Sequence, residues 1–220
     1  MLSCPACSNT LSVESYEPDL KRCPACDHVW QYPAIVTAQY DAKYVHQRYD
    51  AYPTTEIMSY LRLGLMKCFV SPLCGRDFIL DVGYGNGSFL KACKKAGYKC
   101  YGSDVHGVDY GIEERPLDGS ETYDCVTFFD SLEHFADFEA IRKVLNRSHY
   151  VIVSIPFRPA NFPQNLNWKH YRPGEHLHYP SLNSLKHILK KRLVFSDDLE
   201  DAIRGKNKDG SQNILTAVFA

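Results

Sequence analysis

The feature that most constrains this sequence is a glycine-rich turn that directly follows a short apolar segment. Asp77–Val82 is typical of a buried strand, because its apolar residues run together and the run ends in an acid. Gly83, Gly85 and Gly87 follow at every second position. Glycines permit a sharp turn and close approach of a ligand, and the start of the next helix offers free N–H groups. The segment therefore predicts a strand–turn–helix unit with a ligand site at the turn.

Strand and helix patterns alternate after this turn. Helices are predicted from Gly87 to about Ala96 and over Asp137–Arg147. Strands are predicted at Lys99–Val105, weakly near Gly111–Arg115, at Cys125–Phe129 and at Tyr150–Ile155. Such alternation implies a doubly wound α/β fold, with a parallel sheet and helices on both faces.

The two ends of this α/β region have patterns of their own. Before it, a helix is predicted from Thr54 or Thr55 to about Phe69. Its apolar stripe is predicted to contain Ile57, Leu61, Leu65 and Cys68. After it, a helix over Ser181–Lys191 precedes two β-prone runs, Leu193–Ile203 and Ile214–Phe219, which predict a C-terminal antiparallel hairpin.

Two Cys-Pro-Ala-Cys pairs open the sequence, Cys4–Cys7 and Cys23–Cys26, with fifteen residues between them. This spacing predicts a structural four-cysteine zinc site in a zinc ribbon, since about forty residues fold poorly without added stability. A redox motif and disulfides are the alternatives, but a redox motif needs one pair beside a βαβ unit. Nine cysteines indicate a reducing compartment.

Composition limits the classes of function. Hydrophobic residues make up 45% and charged residues 23%, as in globular proteins. The formal net charge of -1 gives no support to a long nucleic-acid groove. No run approaches the roughly 20 apolar residues of a membrane span, and the N-terminus lacks the features of a secretory signal. We therefore expect a cytoplasmic protein without membrane contact.

The acid of the next strand adds to the glycine pattern. Asp104 ends that strand, where a carboxylate can accept both ribose hydroxyls of an adenosine. The third glycine of a dinucleotide fingerprint would fall at Ser88, whereas here it stands at Gly87. Asp81–Gly87 thus has the form Asp-x-Gly-x-Gly-x-Gly, which resembles the first motif of class I S-adenosylmethionine (SAM)-dependent methyltransferases.

Two further blocks resemble the same family. Tyr123–His134 is similar to the motif of its fourth strand, and Trp168–Ser181 is similar to the Glu-His-Leu-His-Tyr segment of one subfamily. That subfamily includes ubiquinone-type O-methyltransferases and sugar and natural-product enzymes. The tyrosine-rich connector, with Tyr40 and Tyr44, resembles the lid that precedes the first strand in this family.

The resemblance implies a Rossmann-like, mostly parallel seven-stranded sheet that binds SAM. The expected domains are a zinc ribbon over residues 1–32, a connector with lid helices over 33–70 and a SAM-binding domain over 71–220. The residues expected to bind the cofactor are Asp81, Gly83, Tyr84, Gly85, Gly87, Asp104, Asp130, Ser131 and Leu132.

Three positions depart from the family. Tyr84 stands where a small residue is common, and it is expected to crowd the methionine end of the cofactor. Only His106–Tyr110 lie between Asp104 and the next strand, too few for the usual helix. The acid that helps to hold adenine in relatives has no clear counterpart, and the candidates are Asp118, Glu113 and Glu114.

Histidines are the candidates for acid–base chemistry, because methyl transfer to a hydroxyl requires a base near neutral pH. His134, His176 and His178 are the predicted catalytic residues. His176 and His178 alternate and would face one side of an extended segment, where Glu175 or His170 could complete a metal site. The favoured alternative is a rigid loop over the pocket. Trp168, Tyr171 and Tyr179 are expected either to wall that pocket or to belong to the core.

Three functions remain open from the sequence. The first is methyl transfer to a small molecule, such as a sugar, a nucleotide-linked sugar or a phenol. The second is methylation of a nucleic acid with the ribbon as docking module, for which Lys21 and Arg22 are the ribbon's basic residues. The third is a non-catalytic protein that binds SAM or a partner. The sequence leaves the oligomeric state undetermined.

Overall fold

A six-stranded mixed sheet forms the centre of the main domain. The computed structural model describes residues 2–10, 13–16, 18–50, 55–70 and 78–220. The strands of this sheet are β4 (Phe78–Val82), β5 (Lys99–Ser103), β6 (Tyr123–Phe129), β7 (Ser148–Pro156), β9 (Leu193–Asp197) and β10 (Ile214–Phe219). Their order is β5-β4-β6-β7-β10-β9, in which the first four run parallel and the last two add antiparallel. The predicted Rossmann-like class is confirmed.

The expected count of seven strands is wrong for the described residues. The weak strand predicted near Gly111–Arg115 is reduced to one parallel bridge between Gly102 and Glu114. Pro116 follows at once and has no N–H to extend the ladder. As predicted, the described chain forms no helix between β5 and β6.

The sheet is covered on both faces by helices. They are α1 (Ala42–Val45), α2 (Thr55–Lys67), α3 (Ser88–Lys95), α4 (Glu139–Leu145), α5 (Leu182–Leu189) and α6 (Asp201–Arg204), with a π-helical turn over His46–Asp50. One apolar core contains side chains of α2 and α3, and another contains side chains of α4 and α5. This placement confirms the doubly wound arrangement.

The predicted apolar stripe of α2 is wrong for Ile57 and Cys68, whereas Leu65 packs against the core. Ile57 is 60% exposed and Cys68 is exposed, whereas Met58, Leu63 and Met66 are buried. Arg62 of the same helix points inward and donates to the buried carboxylate of Glu200. Thr54, the alternative cap, and Asp77, the predicted first residue of β4, lie outside the described residues.

The C-terminal hairpin is confirmed with one difference. Strand β10 pairs antiparallel with β9 and with β7. Strand β9 ends at Asp197, and part of the predicted β run forms α6 instead. The Asp201 carboxylate accepts the backbone N–H groups of Asn213 and Ile214, each at 2.9 Å, which ties α6 to the start of β10.

A small antiparallel sheet contains most of the N-terminal segment. Its strands are β1 (Glu14–Tyr16), β2 (Leu20–Arg22), β3 (Val29–Gln31) and β8 (His178–Tyr179). Strand β8 comes from the far end of the chain and pairs with β3. The N-terminal sheet and the Glu-His-Leu-His-Tyr segment are therefore one structural unit.

The four parallel strands β4, β5, β6 and β7 place their carboxyl ends at one edge of the main sheet. Ligands of open α/β sheets bind at this edge. No helix of the described residues has the length and apolarity needed to cross a membrane.

Candidate active site and metal centre

A cleft of about 360 Å³ lies at the carboxyl edge of the main sheet. This volume is within the range usual for small-ligand sites. The turn after β4 lines one side through Gly83, Gly85 and Asn86. The residues after β6, Asp130, Glu133 and His134, line another side, and the segment 169–176 lines a third.

The shape of the turn after β4 requires glycine at three positions. Gly83, Gly85 and Gly87 have φ angles of +77°, +56° and +71°, in the left-handed region that side chains disfavour. A Cβ on Gly83 would lie 2.4 Å from the Cβ of Ser131. The Ser131 hydroxyl donates to the Val82 carbonyl at 2.5 Å, so it holds the end of β6 against the turn.

Asp104, the acid that follows β5, supports this turn through hydrogen bonds to the backbone. Asp104 Oδ2 accepts the N–H of Gly85 at 2.9 Å, and Oδ1 accepts the N–H of Val105 at 2.7 Å. His106 Nε2 lies 2.8 Å from the Gly85 carbonyl and therefore donates to it, while Nδ1 accepts the N–H of Val108. The short segment after Asp104 thus braces the turn with His106 in place of a helix.

Tyr84 points across the edge strand. Its ring lies 5.1 Å from that of His106, and its hydroxyl donates to Glu114 Oε1 at 2.6 Å. A Cβ on Gly102 would meet the Tyr84 ring at 2.3 Å, which explains the glycine within β5. Glu114, one of the acids considered for the adenine side, is therefore engaged by Tyr84.

Asp81 lies under the turn as a buried carboxyl group. It is 3% exposed, and its Oδ1 accepts the hydroxyl of Thr127 at 2.6 Å. Burial raises the pKa of Asp81 to about 7. The group lines the floor of the cleft and is held by β4 and β6 together.

A four-charge network joins α2, the end of β6 and α6 beside the cleft. Arg62 donates to Glu200 at 2.7 and 3.1 Å and to Asp130 at 3.2 Å. Arg204 donates to both oxygens of Asp130 at 2.8 and 2.7 Å and to Glu200 at 3.1 Å. Burial opposes ionisation, but Arg204 and Arg62 hold the pKa of Asp130 down to about 2. The network is neutral as a whole, and it fixes the left-handed backbone of Asp130.

His134 presents one ring nitrogen to the cleft. Its Nδ1 lies 2.8 Å from the backbone carbonyl of Glu175, which can only accept, so Nδ1 carries the hydrogen. The Tyr40 hydroxyl lies 2.8 Å from the same nitrogen. Burial lowers the pKa of His134, so the ring is neutral near pH 7 and its Nε2 lone pair is available.

His176 is the second histidine of the cleft. Its ring packs edge-on against His134 at 4.8 Å between centroids. Burial lowers the pKa of His176 to about 3, with contributions from His134 and Arg172. The ligand atoms of Glu133, His134 and His176 all lie within 4.8 Å of one another.

The tyrosine-rich connector covers this group. Tyr40 contacts His134, and the Tyr44 hydroxyl donates to Glu175 Oε1 at 3.2 Å. The rings of Tyr40 and Tyr44 lie 5.1 Å apart. Gly174, at φ +79°, has the Thr37 side chain so close that a Cβ would meet Oγ1 at 2.1 Å. The connector is therefore packed directly onto the loop that carries Glu175 and His176.

His178 lies at the N-terminal sheet, away from the lining of the cleft. Its Nδ1 is 2.9 Å from His28 Nε2, and the two rings stack at 5.1 Å. The expectation that His176 and His178 face one side is wrong, because residues 173–175 form a turn and the strand begins only at His178. Trp168, Tyr171 and Tyr179 pack with Phe162 in the core beneath the N-terminal sheet, so the core alternative holds for them.

The four N-terminal cysteines converge as their spacing predicted. Their sulfur atoms all lie within 4.8 Å of one another, and the Cys4–Cys26 and Cys7–Cys23 pairs are 3.6 and 3.7 Å apart. Sulfur atoms bound tetrahedrally to zinc at about 2.3 Å lie roughly 3.8 Å apart. Ser8 and Asp27, the residues after each pair, share left-handed φ angles of 62° and 60°. Two equivalent knuckles thus form a set of thiolates that fits a zinc ion.

The sequence-predicted cofactor residues divide into two groups. Those that line the cleft are Asp81, Gly83, Tyr84, Gly85 and Asp130. Those that lie behind its lining are Gly87, Asp104, Ser131 and Leu132. Of the predicted catalytic residues, His134 and His176 line the cleft, and His178 does not.

Sequence reasoning did not select several residues of the cleft. Glu133 belongs to the motif Tyr123–His134, but the sequence does not show that its side chain is buried in the cleft wall. Arg62, Lys169 and Arg204 line the cleft, but each occupies a position that hydropathy assigns to solvent. Their grouping depends on tertiary contacts alone.

Comparison with known families gives one match. The model of a family described as a methyltransferase domain matches residues 69–192, more than half of the chain. A search of proteins with curated functions gives no significant match.

Solved structures share the architecture at low sequence identity. An S-adenosylmethionine-dependent methyltransferase from Archaeoglobus fulgidus has a TM-score of 0.53 at 18% identity, over 81% of this chain and 99% of that one. Magnesium protoporphyrin IX methyltransferase from Synechocystis PCC 6803 with bound S-adenosylhomocysteine (SAH) has a TM-score of 0.51 at 14% identity, over 80% and 91%. Geranyl diphosphate C-methyltransferase from Streptomyces coelicolor A3(2) has a TM-score of 0.51 at 13% identity, over 77% and 81–84%. These likenesses establish a common fold.

Proposed function

Because the chain belongs to the methyltransferase-domain family and has the class I fold of SAM-dependent methyltransferases, we propose that it transfers a methyl group from SAM to a small-molecule acceptor. The acceptor group is a hydroxyl of a sugar, a nucleotide-linked sugar or a phenol. One observation carries this proposal. A single cleft has the glycine turn on one side and a neutral His134 with a free Nε2 on another.

The cofactor site of this proposal is built around the glycine turn. SAM supplies a methyl group activated by its sulfonium sulfur. Gly83 and Gly85 line the cleft with backbone alone, which leaves room for a ligand beside β4. Asp104, directly after β5, is assigned to the ribose hydroxyls by this position at the carboxyl edge of the sheet. Its carboxylate lies outside the present lining of the cleft and bonds to backbone N–H groups, so this assignment requires it to turn towards the ribose when the cofactor binds. Gly87, Ser131 and Leu132 are assigned to the shape of the turn behind the lining.

The reaction needs positioning and a base. In an in-line displacement the acceptor oxygen forms a bond to the methyl carbon while the sulfur–carbon bond breaks, and its electron pair stays on sulfur. The hydroxyl proton passes to His134 Nε2, which the Glu175 carbonyl keeps unprotonated by holding the hydrogen on Nδ1. His176 packs against His134 and keeps its ring in place. His178 has a structural role at the N-terminal sheet in this proposal.

Lys169 and Arg172 lie on one side of the cleft, and we place an acidic group of the acceptor against that side. Lys169 lines the cleft, where burial and Arg204 lower the pKa of its amine. Arg172 lines the same side and donates to Glu175 at 3.0 Å. An anionic group of the acceptor would compensate Lys169, which suits a nucleotide-linked sugar better than a neutral phenol.

We assign a structural zinc ion to Cys4, Cys7, Cys23 and Cys26. The fit of the four sulfur atoms to a tetrahedral site supports this assignment. The division into residues 1–32, 33–70 and 71–220 remains our proposal for the domains. In this division β8 belongs to the last domain and pairs with β3 of the first. Four thiolates that hold zinc suit a reducing compartment such as the cytoplasm.

The test separates binding from chemistry. Calorimetric titration with SAH should give one site per chain, and labelled SAM should methylate acceptors from a panel of sugars, nucleotide sugars and phenols. His134→Asn should lower kcat by about 100-fold or more while SAH affinity changes less than about twofold. His149→Asn, at an exposed histidine, is the matched control.

Absence of SAH binding would refute the proposed function altogether. SAH binding with methylation of RNA or DNA alone, and a steep salt dependence, would replace the small-molecule acceptor with a nucleic acid.

A further inference from the structure

Glu133 is a buried carboxylate without a hydrogen-bond partner among the described residues. It belongs to the 3₁₀ turn Leu132–His134, is 2% exposed and lines the cleft. Neither of its oxygen atoms accepts a hydrogen bond from the described protein. Burial of a carboxylate without donors is strongly unfavourable. Glu133 itself therefore has no hydrogen-bond donor among the described residues to compensate its charge.

The neighbouring guanidinium groups are paired with other carboxylates. Arg204 is the cation whose charge acts on Glu133, and it is already paired with Asp130 and Glu200, as is Arg62. Arg48 and Arg172, which also line the cleft, are paired with Glu175. Glu133 stands outside these ion pairs.

His134 presents the lone pair of its Nε2 atom to the Glu133 carboxylate. His134 Nε2 lies 4.0 Å from Glu133 Oε1, and its hydrogen is on Nδ1, where the Glu175 carbonyl holds it. Two acceptors therefore face each other across a gap at the cleft wall. Such an arrangement is stable when a proton or a cation lies between the two atoms.

His176 adds a third donor atom from a different segment of the chain. Its ligand atom lies within 4.8 Å of those of Glu133 and His134. Two imidazoles and one carboxylate form a donor set that first-row divalent ions accept, with open positions for other ligands. Ligand atoms at about 2.1 Å from one ion are roughly 3 Å apart, so the three side chains would have to close by about 1 to 2 Å.

The hydrogen bond of the other ring nitrogen of His134 is typical of a metal site. A metal-bound histidine commonly donates its other N–H to a carbonyl or a carboxylate, which fixes its tautomer. His134 donates Nδ1–H to the Glu175 carbonyl in this way. The thiolate centre of Cys4, Cys7, Cys23 and Cys26 is a separate donor set of softer ligands.

We propose that Glu133, His134 and His176 bind one divalent cation of the Mn²⁺ class at the wall of the cleft. Its open positions face the cleft, where an acceptor hydroxyl would bind and release its proton to solvent more readily. With the cation bound, His134 Nε2 is a ligand and the cation takes over the activation of the hydroxyl that the metal-free mechanism assigns to this nitrogen. The cation site is inferred from the cluster itself, whereas this role in acceptor binding rests on the proposed function.

Direct titration with Mn²⁺ tests the site without any assay of activity. The full chain, purified with its zinc, is titrated with Mn²⁺, and free Mn²⁺ is measured by electron paramagnetic resonance. We expect one Mn²⁺ per chain, with affinity reduced at least tenfold in Glu133→Gln and in His176→Asn. His149→Asn, at an exposed histidine, should bind as the unchanged protein does. Circular dichroism establishes that each variant is folded.

Two outcomes would overturn the site: no Mn²⁺ binding to the unchanged protein, or equal binding to all variants. A parallel calorimetric titration with SAH separates this proposal from the proposed function. If SAH binds and methyl transfer proceeds at full rate with a chelator that removes Mn²⁺ and Mg²⁺ but spares the zinc, the cation proposal fails and the function stands. If Mn²⁺ binds and SAH does not, the cation site stands and the function fails.

Discussion

Gly83 is the position where the fold and the cleft depend most closely on each other. In Gly83→Ala the new Cβ would lie 2.4 Å from the Cβ of Ser131, about 1 Å inside ordinary van der Waals contact. The residue also has a φ angle of +77°, which costs an L-residue about 1–2 kcal/mol. Over-packing of a rigid contact adds about 1–3 kcal/mol.

Neither partner of this contact can move away easily. The Gly83 N–H donates to the Ser103 carbonyl at 2.7 Å, and the Ser131 hydroxyl donates to the Val82 carbonyl at 2.5 Å. We therefore predict that Gly83→Ala lowers the free energy of unfolding by roughly 2–5 kcal/mol. The turn should be displaced as well, with a loss of SAH affinity of about tenfold or more.

Gly107→Ala is the matched control. Gly107 has a φ angle of +66° and nothing within 4 Å of a built Cβ, so it carries the backbone penalty without the clash. Urea unfolding followed by fluorescence should show a loss of about 1–2 kcal/mol for this control, with SAH affinity unchanged by calorimetry. Equal losses in the two variants, within about 0.5 kcal/mol, would refute the reasoning from the Ser131 contact.

Three further predictions concern the network, the zinc centre and a buried histidine. Glu200→Gln leaves Arg62 short of a buried partner and should lower the free energy of unfolding by about 3–5 kcal/mol in urea; a loss below about 1 kcal/mol would contradict this. Cys23→Ser should release about one zinc per chain and lower the hydrogen-exchange protection of His178–Tyr179, which pair with the N-terminal sheet; unchanged protection would show that the strand needs no zinc. Burial lowers the pKa of His170 to about 4, so the unfolded chain binds the extra proton and stability should fall by up to about 3 kcal/mol as pH drops from about 6.5 to 4. His170→Gln should flatten that part of the pH profile, and an identical profile would contradict the assignment.

The parts of the structure that the sequence predicted are those set by local rules. Gly83, Gly85 and Gly87 need left-handed backbone wherever such a turn occurs, so their spacing alone announces the turn. The two Cys-Pro-Ala-Cys segments form equivalent knuckles for the same reason. The alternation of strands and helices likewise predicts the parallel part of the sheet.

The parts that the sequence did not predict depend on contacts between distant segments. The sequence placed Ile57 and Cys68 on the apolar stripe of α2, but both are exposed. Arg62 of that helix points inward instead, to Glu200, which lies 138 positions away. His178 was grouped with His176 from their spacing, yet its partner is His28 in the N-terminal sheet.

Glu133 shows the same limit at the candidate site. The sequence predicts its neighbour His134 as a base. The position of the His134 hydrogen, however, depends on the Glu175 carbonyl, and the charge of Glu133 depends on burial. Neither can be read from the order of residues. A charged residue next to a histidine at a strand end is the one signal that the sequence offered.

A crystal structure of the protein with SAH tests the central claim most directly. The account predicts that SAH lies in the cleft against Gly83 and Gly85, with its sulfur directed towards the side lined by His134 and its ribose beside Asp104. SAH bound at another surface, or a cleft closed by side chains with Asp104 turned to bulk solvent, would contradict the account.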